Sequence, residues 1–265
     1  MKKVITALLA AAATLVMSIT ALAGDDAAAV LDQLTAKSNA MDSMDVHADM
    51  NMVISVPGTE PLDMSMAMNM KMSQIQSGNL LYKAEIATAA MGQTTFQTLF
   101  YKDGMYYMDM NGVKVSYPMD LDTMMKSAKS YSGASNMTSS MMKELSLKEE
   151  NGEMVLSYTA DENQMNAYLQ QVMGTMAGQL GQTGTMNIRE VKGTYVLNQD
   201  GFYDRMTMTM VMDMAMGGQT ATVSMVMNGV LNQPGQPVIV DIPSTDGYMD
   251  METYMNTLIA SGNAA

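Results

Sequence analysis

The chain contains no cysteine and no tryptophan, only three phenylalanines, and a single histidine. Without a thiol there is no cysteine nucleophile, no disulfide and no acylated cysteine behind a leader, so stability must come from packing. One histidine, His47, gives general-base chemistry little to stand on. Positive charge is also scarce: 14 Lys and Arg stand against 27 Asp and Glu, a net charge of −13. An acidic surface repels phosphate backbones, which argues against nucleic acid as a partner, and it gives no help in holding anionic headgroups.

Long apolar runs are absent after the first 22 residues. Met1-Lys2-Lys3 is a short basic start, Val4 to Leu22 is apolar or small, and Ala21-Leu22-Ala23 fits the small-x-small rule for signal peptidase. Residues 1–23 are therefore predicted to be a signal peptide, although a run of roughly 20 residues could also span a bilayer. Residues 24–265 are predicted to form a single domain, secreted or extracytoplasmic and soluble after cleavage. With no cysteine it is not lipid-anchored. Loss of Lys2 and Lys3 would take the net charge to −15.

What the chain has in excess is methionine, 37 residues of it, much of it at a period of two. Asp25 to about Met41 reads as a helix, with Val30, Leu31 and Leu34 at helical spacing. From Met44 to Val56 the even positions are apolar, including Met50, Met52 and Ile54, while Asp45, His47, Asp49 and Asn51 fall between them. Met64, Met66, Met68, Met70 and Met72 repeat the pattern. Further strands are expected over Leu80–Ala90, Thr94–Tyr101, Met105–Met110 and Val113–Tyr117. Asp103-Gly104 and Asn111-Gly112 supply the strongest short hairpin signals.

The middle reads differently. Asp120–Ser130 and Asn136–Lys143 suggest helix, Leu145–Glu150 and Met154–Thr159 a hairpin through Asn151-Gly152, and Asp161 to about Met176 a helix. Gly174–Gly184 reads as a loop. Strands return at Met186–Asn198, then at Met206, Met208, Met210, Met212, Met214 and Met216. Thr220–Leu231, with Val223, Met225 and Met227 on one face, runs back. Val238–Ile242 is expected as a last strand, Tyr248–Ile259 as a closing helix, and Asn263-Ala264-Ala265 as frayed. The sum is a mainly β (α+β) chain of about eleven strands and four or five helices. Its connections are too short for parallel crossovers, so the sheet should be antiparallel.

A methionine face on several strands must be covered, because that much exposed apolar area aggregates. Three readings compete. The face can be a fully packed core of a structural or interaction protein. It can line a cavity: methionine is unbranched and adaptable, and it specifies unique packing poorly, which suits a hydrophobic guest. Or thioethers can hold Cu(I), since Met-x-Met puts two soft ligands on one face about 6.6 Å apart. His47 differs in parity from Met50 and Met52, so a regular strand does not bring it to them. Exposed methionines can also absorb oxidants.

The layout of leader, N-terminal helix, period-two strands, Lys102-Asp103-Gly104-Met105-Tyr106-Tyr107 turn, late methionine hairpin and closing Pro237-Val238-Ile239-Val240-Asp241-Ile242-Pro243 resembles the LolA-like superfamily. That group includes the LolA and LolB carriers, LppX and LprG-type lipoproteins, and uncharacterised secreted Gram-positive relatives. The resemblance implies an open curved antiparallel sheet, a half-barrel covered by helices around an apolar cavity. It also implies an exported, non-catalytic carrier of lipids or other hydrophobic molecules, with acylated protein and peripheral envelope contact as further partners. Many relatives carry a lipobox cysteine and this chain does not. The residues expected to line the ligand are Met50, Met52, Ile54, Met64, Met66, Met68, Met70, Met72, Met206, Met208, Met210, Met212, Met214, Met225 and Met227. No catalytic residue, metal or cofactor is expected. Glu149-Glu150 and Asp25-Asp26 sit at a turn and a helix start, and Gly174–Gly184 lacks the lysine of a phosphate loop.

Overall fold

The computed structural model describes residues 27–120, 138–167, 185–216 and 219–262. The leader, the segment 121–137, the loop Gly174–Gly184, most of the helix expected after Asp161, the turn Gly217-Gly218 and Asn263–Ala265 lie outside the described residues.

Helix α1 (Ala27–Ala40) is followed by six strands: β1 (Ser43–Ser55), β2 (Leu62–Ser73), β3 (Leu81–Ala90), β4 (Gln93–Lys102), β5 (Met105–Met110) and β6 (Val113–Pro118). Then come a 3-10 turn (Ser139–Met141), β7 (Met142–Glu150), β8 (Glu153–Ala160) and a helical segment α2 over 162–167. β9 (Thr185–Leu197), β10 (Tyr203–Met216), β11 (Gln219–Leu231), the two-residue β12 (Met249–Asp250) and α3 (Met251–Gly262) complete the chain. All twelve strands belong to one open sheet, ordered β12-β6-β5-β4-β3-β2-β1-β11-β10-β9-β8-β7. Every described pairing is antiparallel except β12 on β6.

Turn chemistry builds most of the hairpins. Met91-Gly92, Asp103-Gly104, Asn111-Gly112 and Asn151-Gly152 all have positive φ at both residues. That is the type I′ geometry, whose twist matches that of the flanking strands. β11 closes the sheet from the other end by pairing with β1, Met50 opposite Met227 and Met52 opposite Met225. The N-terminal and C-terminal halves thus meet at the centre.

The face carrying the methionines is the inner one. Val30, Leu31 and Leu34 of α1 are about 1 % exposed and join the same core cluster as Val46, Met50, Met208 and Met227. The Asp32 carboxylate fixes the helix by accepting hydrogen bonds from Ser139 N and Oγ, both at 2.8 Å. At the other end Lys37 Nζ donates to Asp200 O at 2.8 Å and lies over the Phe202 ring. α1 therefore spans from the 3-10 turn to the β9–β10 turn.

Three elements differ from the sequence expectation. Val238–Ile242 is not a strand of the sheet. Residues 232–248 form a strap held to the outer face, where Asn232 N donates to Asp45 O at 2.8 Å and Tyr248 packs edge-on against Phe100 and Tyr107. The period of two is kept, with Val240 buried and Ile239 exposed, but it registers a segment lying on a sheet rather than a rung of it. Asn136–Lys143 likewise forms no α-helix where described, only the 3-10 turn Ser139–Met141. Met142 already pairs with Ala160, so the Asn151-Gly152 hairpin extends back to the 3-10 turn. α3 starts later than Tyr248 because the Asp250 carboxylate caps it, accepting from Glu252 N at 2.8 Å.

Candidate functional site

Cross-strand register turns the separate methionine ladders into a block. Met66, Met50, Met227 and Met208 lie in one row across β2, β1, β11 and β10. Met64, Met52, Met225 and Met210 lie in the next. Eight thioether side chains thus tile the middle of the inner face, with directly opposed residues about 4.5–5.5 Å apart at Cβ. Met68 and Met70 on β2 and Met206, Met212 and Met214 on β10 extend it. All these are buried except Met64 and Met210, which are half-buried, as are Ile54 and Met72 at the margins. Burial of one such side chain is worth roughly 1.5–3 kcal/mol.

On the β9 side the block meets three tyrosines. Tyr195 stands opposite Met206, Tyr158 opposite Gly193, and their rings stack at 5.5 Å, with Tyr203 a further 5.5 Å on. Gly193 is required here, since a Cβ would sit 2.3 Å from Thr207 O and 2.7 Å from the Tyr158 hydroxyl. Burial holds the Tyr158 and Tyr203 phenols well above their ordinary pKa, and pushes that of Tyr195 up to about 12.

On the β3 side the inner face changes character. Tyr82, Tyr101, Tyr106 and Tyr117 form a single row across β3, β4, β5 and β6, continuing the row of Met44 and Met72. All four are half-buried. Burial pushes Tyr82 up to about 12 and Tyr106 higher still, the latter helped by Tyr82 and Tyr117. Burial raises Tyr117 as well.

No Asp, Glu, Lys or Arg occupies an inner position on β1 to β6, β10 or β11. The charges of these strands, such as Asp45, Lys71, Lys83, Glu85, Asp109, Arg205 and Asp213, fall on the alternate positions, many in ion pairs. His47 is on that outer face as well, 2.8 Å from Asn69 Oδ1 through Nδ1 and 3.2 Å from Asp49 Oδ2 through Nε2. It is thereby separated from Met50 and Met52.

Two open grooves stand out among the described residues. One of about 380 Å³ lies where β1, β2 and β3 end, lined by Met52, Met64 and Ala90 of the inner parity, by Asn51, Val53, Asp63, Ser65 and Ala89 of the outer, and by the Met91-Gly92 turn. It wraps the end of the sheet at the edge of the methionine block. The larger, about 470 Å³, is on the outer face under the strap, between Lys83, Glu85, Asp109, Lys114, Asp246 and Tyr248. Its charged lining suits no apolar guest.

A family model matches residues 26–244. The chain belongs to that family, a family of unknown function (DUF6612). No curated protein matches this DUF6612 member. Among solved structures it is similar to LprF from Mycobacterium bovis, at 12 % identity and a TM-score of 0.42 over 82 % of this chain and 97 % of that one. A LolA superfamily protein from Nitrosomonas europaea aligns at 10 % identity and a TM-score of 0.24 over 76 % and 88 %. The ywiB protein from Bacillus subtilis aligns at 8 % and 0.21 over 73 % and 97 %. The superfamily suggested by the layout is thus represented among these structures, at TM-scores that carry no conclusion about what a DUF6612 protein binds.

The methionine parity was legible in the sequence, but the tyrosine row was not singled out from it. It follows from the turns: with two-residue loops at 91–92, 103–104 and 111–112, Tyr82 must face Tyr101, Tyr101 must face Tyr106, and Tyr106 must face Tyr117.

Proposed function

We propose that this DUF6612 member is an exported, non-catalytic binding protein or carrier for hydrophobic molecules. The observation that carries the reading is the two-by-four methionine block on strands whose inner positions carry no charge. Thioether side chains repack at little cost, so the block closes on itself when empty and moulds to a guest when one enters. A rigid core of Ile, Val and Leu gives a more defined packing and admits guests less readily. Among the described residues no helix is long and apolar enough to cross a membrane, and an envelope role is assigned to the leader in the same reading.

Uptake of the uncharged dye N-phenyl-1-naphthylamine tests it. The wild-type chain should enhance its fluorescence saturably. Met64→Glu, which puts a charge at the groove mouth of the inner face, should abolish the enhancement. Ser224→Glu, exposed on the outer face of β11 and not part of the groove lining, should leave it intact. Absence of uptake by the wild-type protein, or equal uptake by both variants, would count against the proposal. In the same experiment, tight Cu(I) binding under reducing conditions without dye uptake would favour the thioether-metal reading instead.

A further inference from the structure

The inner face has two chemically distinct parts. The methionine block is apolar throughout, whereas the row Tyr82-Tyr101-Tyr106-Tyr117 presents four phenol hydroxyls side by side. None of these hydroxyls has a hydrogen-bond partner among the described residues. Their only described contact of note is ring against ring, Tyr106 to Tyr117 at 5.4 Å between centroids. Phenols that merely filled a core would be expected to bury or satisfy their hydroxyls; these are left half-exposed in a row.

The two parts are continuous along β2. From Met72, which the tyrosine row continues, Met70 and Met68 lead on to the row of the block that holds Met66. Six residues at strand rise make this about 20 Å. An extended acyl chain of sixteen to eighteen carbons has a similar length. A guest lying along β2 and β3 would thus place its tail on the block while its head reaches the tyrosines.

Charge decides what that head can be. The inner positions of β1 to β6 carry no cation to pair with a phosphate or carboxylate, and the chain as a whole has a net charge of −13. Nor do they carry an anion to pair with an ammonium. Phenol hydroxyls donate well to ester, ether or hydroxyl oxygens. We infer that the tyrosine row is a headgroup subsite and that the protein selects uncharged amphiphiles, with oxygen-rich neutral heads, over fatty-acid anions. The inference rests on the proposed carrier function and adds the identity of the head.

The test uses the full chain loaded with N-phenyl-1-naphthylamine, displaced by 1-monooleoylglycerol or by oleate at about pH 8, where oleate is ionised. The two competitors share a tail and differ in the head. The wild-type protein should prefer monooleoylglycerol by about tenfold or more, the worth of one to two neutral hydrogen bonds. Tyr101→Phe combined with Tyr106→Phe should bring the two competitors close to parity, each compared at the variant's own dye affinity. Equal displacement of the wild type by both lipids overturns the inference, as does a preference that survives the double substitution. Either result leaves the carrier reading standing as long as the dye binds. Failure of the dye itself to bind sinks both.

Discussion

At the scale of single residues, the most exposed inconsistency is Tyr203. Its side chain is fully buried, and its hydroxyl has no hydrogen-bond partner among the described residues. A buried donor left unmade costs about 1–3 kcal/mol, while the ring itself packs against Tyr195. Tyr203→Phe keeps the ring and removes the orphan. It should leave stability unchanged or raise it by about 1 kcal/mol in chemical denaturation. A loss of stability would show that the hydroxyl has a partner in solution. His47 is the other residue with a readable consequence. Its hydrogen bond to Asn69, helped by Asp49, holds its proton above the ordinary pKa of 6.5, against an opposing effect of burial that ranks second. A raised folded pKa stabilises fully below pH 6.5, and that contribution is lost as pH rises through the folded value. Unfolding measured across this window should therefore show stability falling with pH. His47→Gln should flatten the curve. The amplitude should be small, because the group is exposed and screened.

Elements are held by a few polar contacts at their ends. α2 begins at Asp161, whose carboxylate accepts from Asn163 N and Gln164 N at 2.9 and 3.0 Å. It is then tied to the sheet by Asn166, which donates to Ile188 O at 2.9 Å and accepts from Ile188 N at 2.7 Å. These bonds occupy the backbone groups of Ile188 beside the bulge at which the β9–β10 register shifts, between Val211 and Met212. Asn166→Leu leaves a partly buried N–H and C=O unpaired and should cost about 2–4 kcal/mol. A cost below about half a kcal/mol, within the range of ordinary surface changes, would show that the tie is dispensable. The hairpins were readable beforehand because Asp-Gly and Asn-Gly report a backbone conformation directly. The strap was not, because alternate burial looks the same whether a segment is hydrogen-bonded into a sheet or laid across it. The β9 bulge was hidden for a related reason: Met186 and Ile188 share one parity and Val191, Tyr195 and Leu197 the other, and only the register shows both sets on the inner face.

Across the whole molecule, one open sheet brings the two methionine-rich halves of the sequence together by pairing β1 with β11. Parity alone placed Met50, Met66, Met208 and Met227 on the same side of their own strands. It gave no hint that the four would form a continuous row, since β1 and β11 are far apart in the chain. The division into an outer face with charges and a strap, and an inner face with methionine and tyrosine, is what gives the fold a plausible guest. Thioethers that fill the face when it is empty can also yield to a tail, and a uniformly methionine core with no guest gains nothing from that pliancy. The central claim is that this face holds a hydrophobic molecule. Mass spectrometry of an organic extract from the gently purified full chain tests it most directly. The account predicts a recurrent, near-stoichiometric lipid-like species with an uncharged head. An extract that is consistently empty, from protein that also takes up no lipid on incubation, would contradict it and leave the methionine block as a packed core.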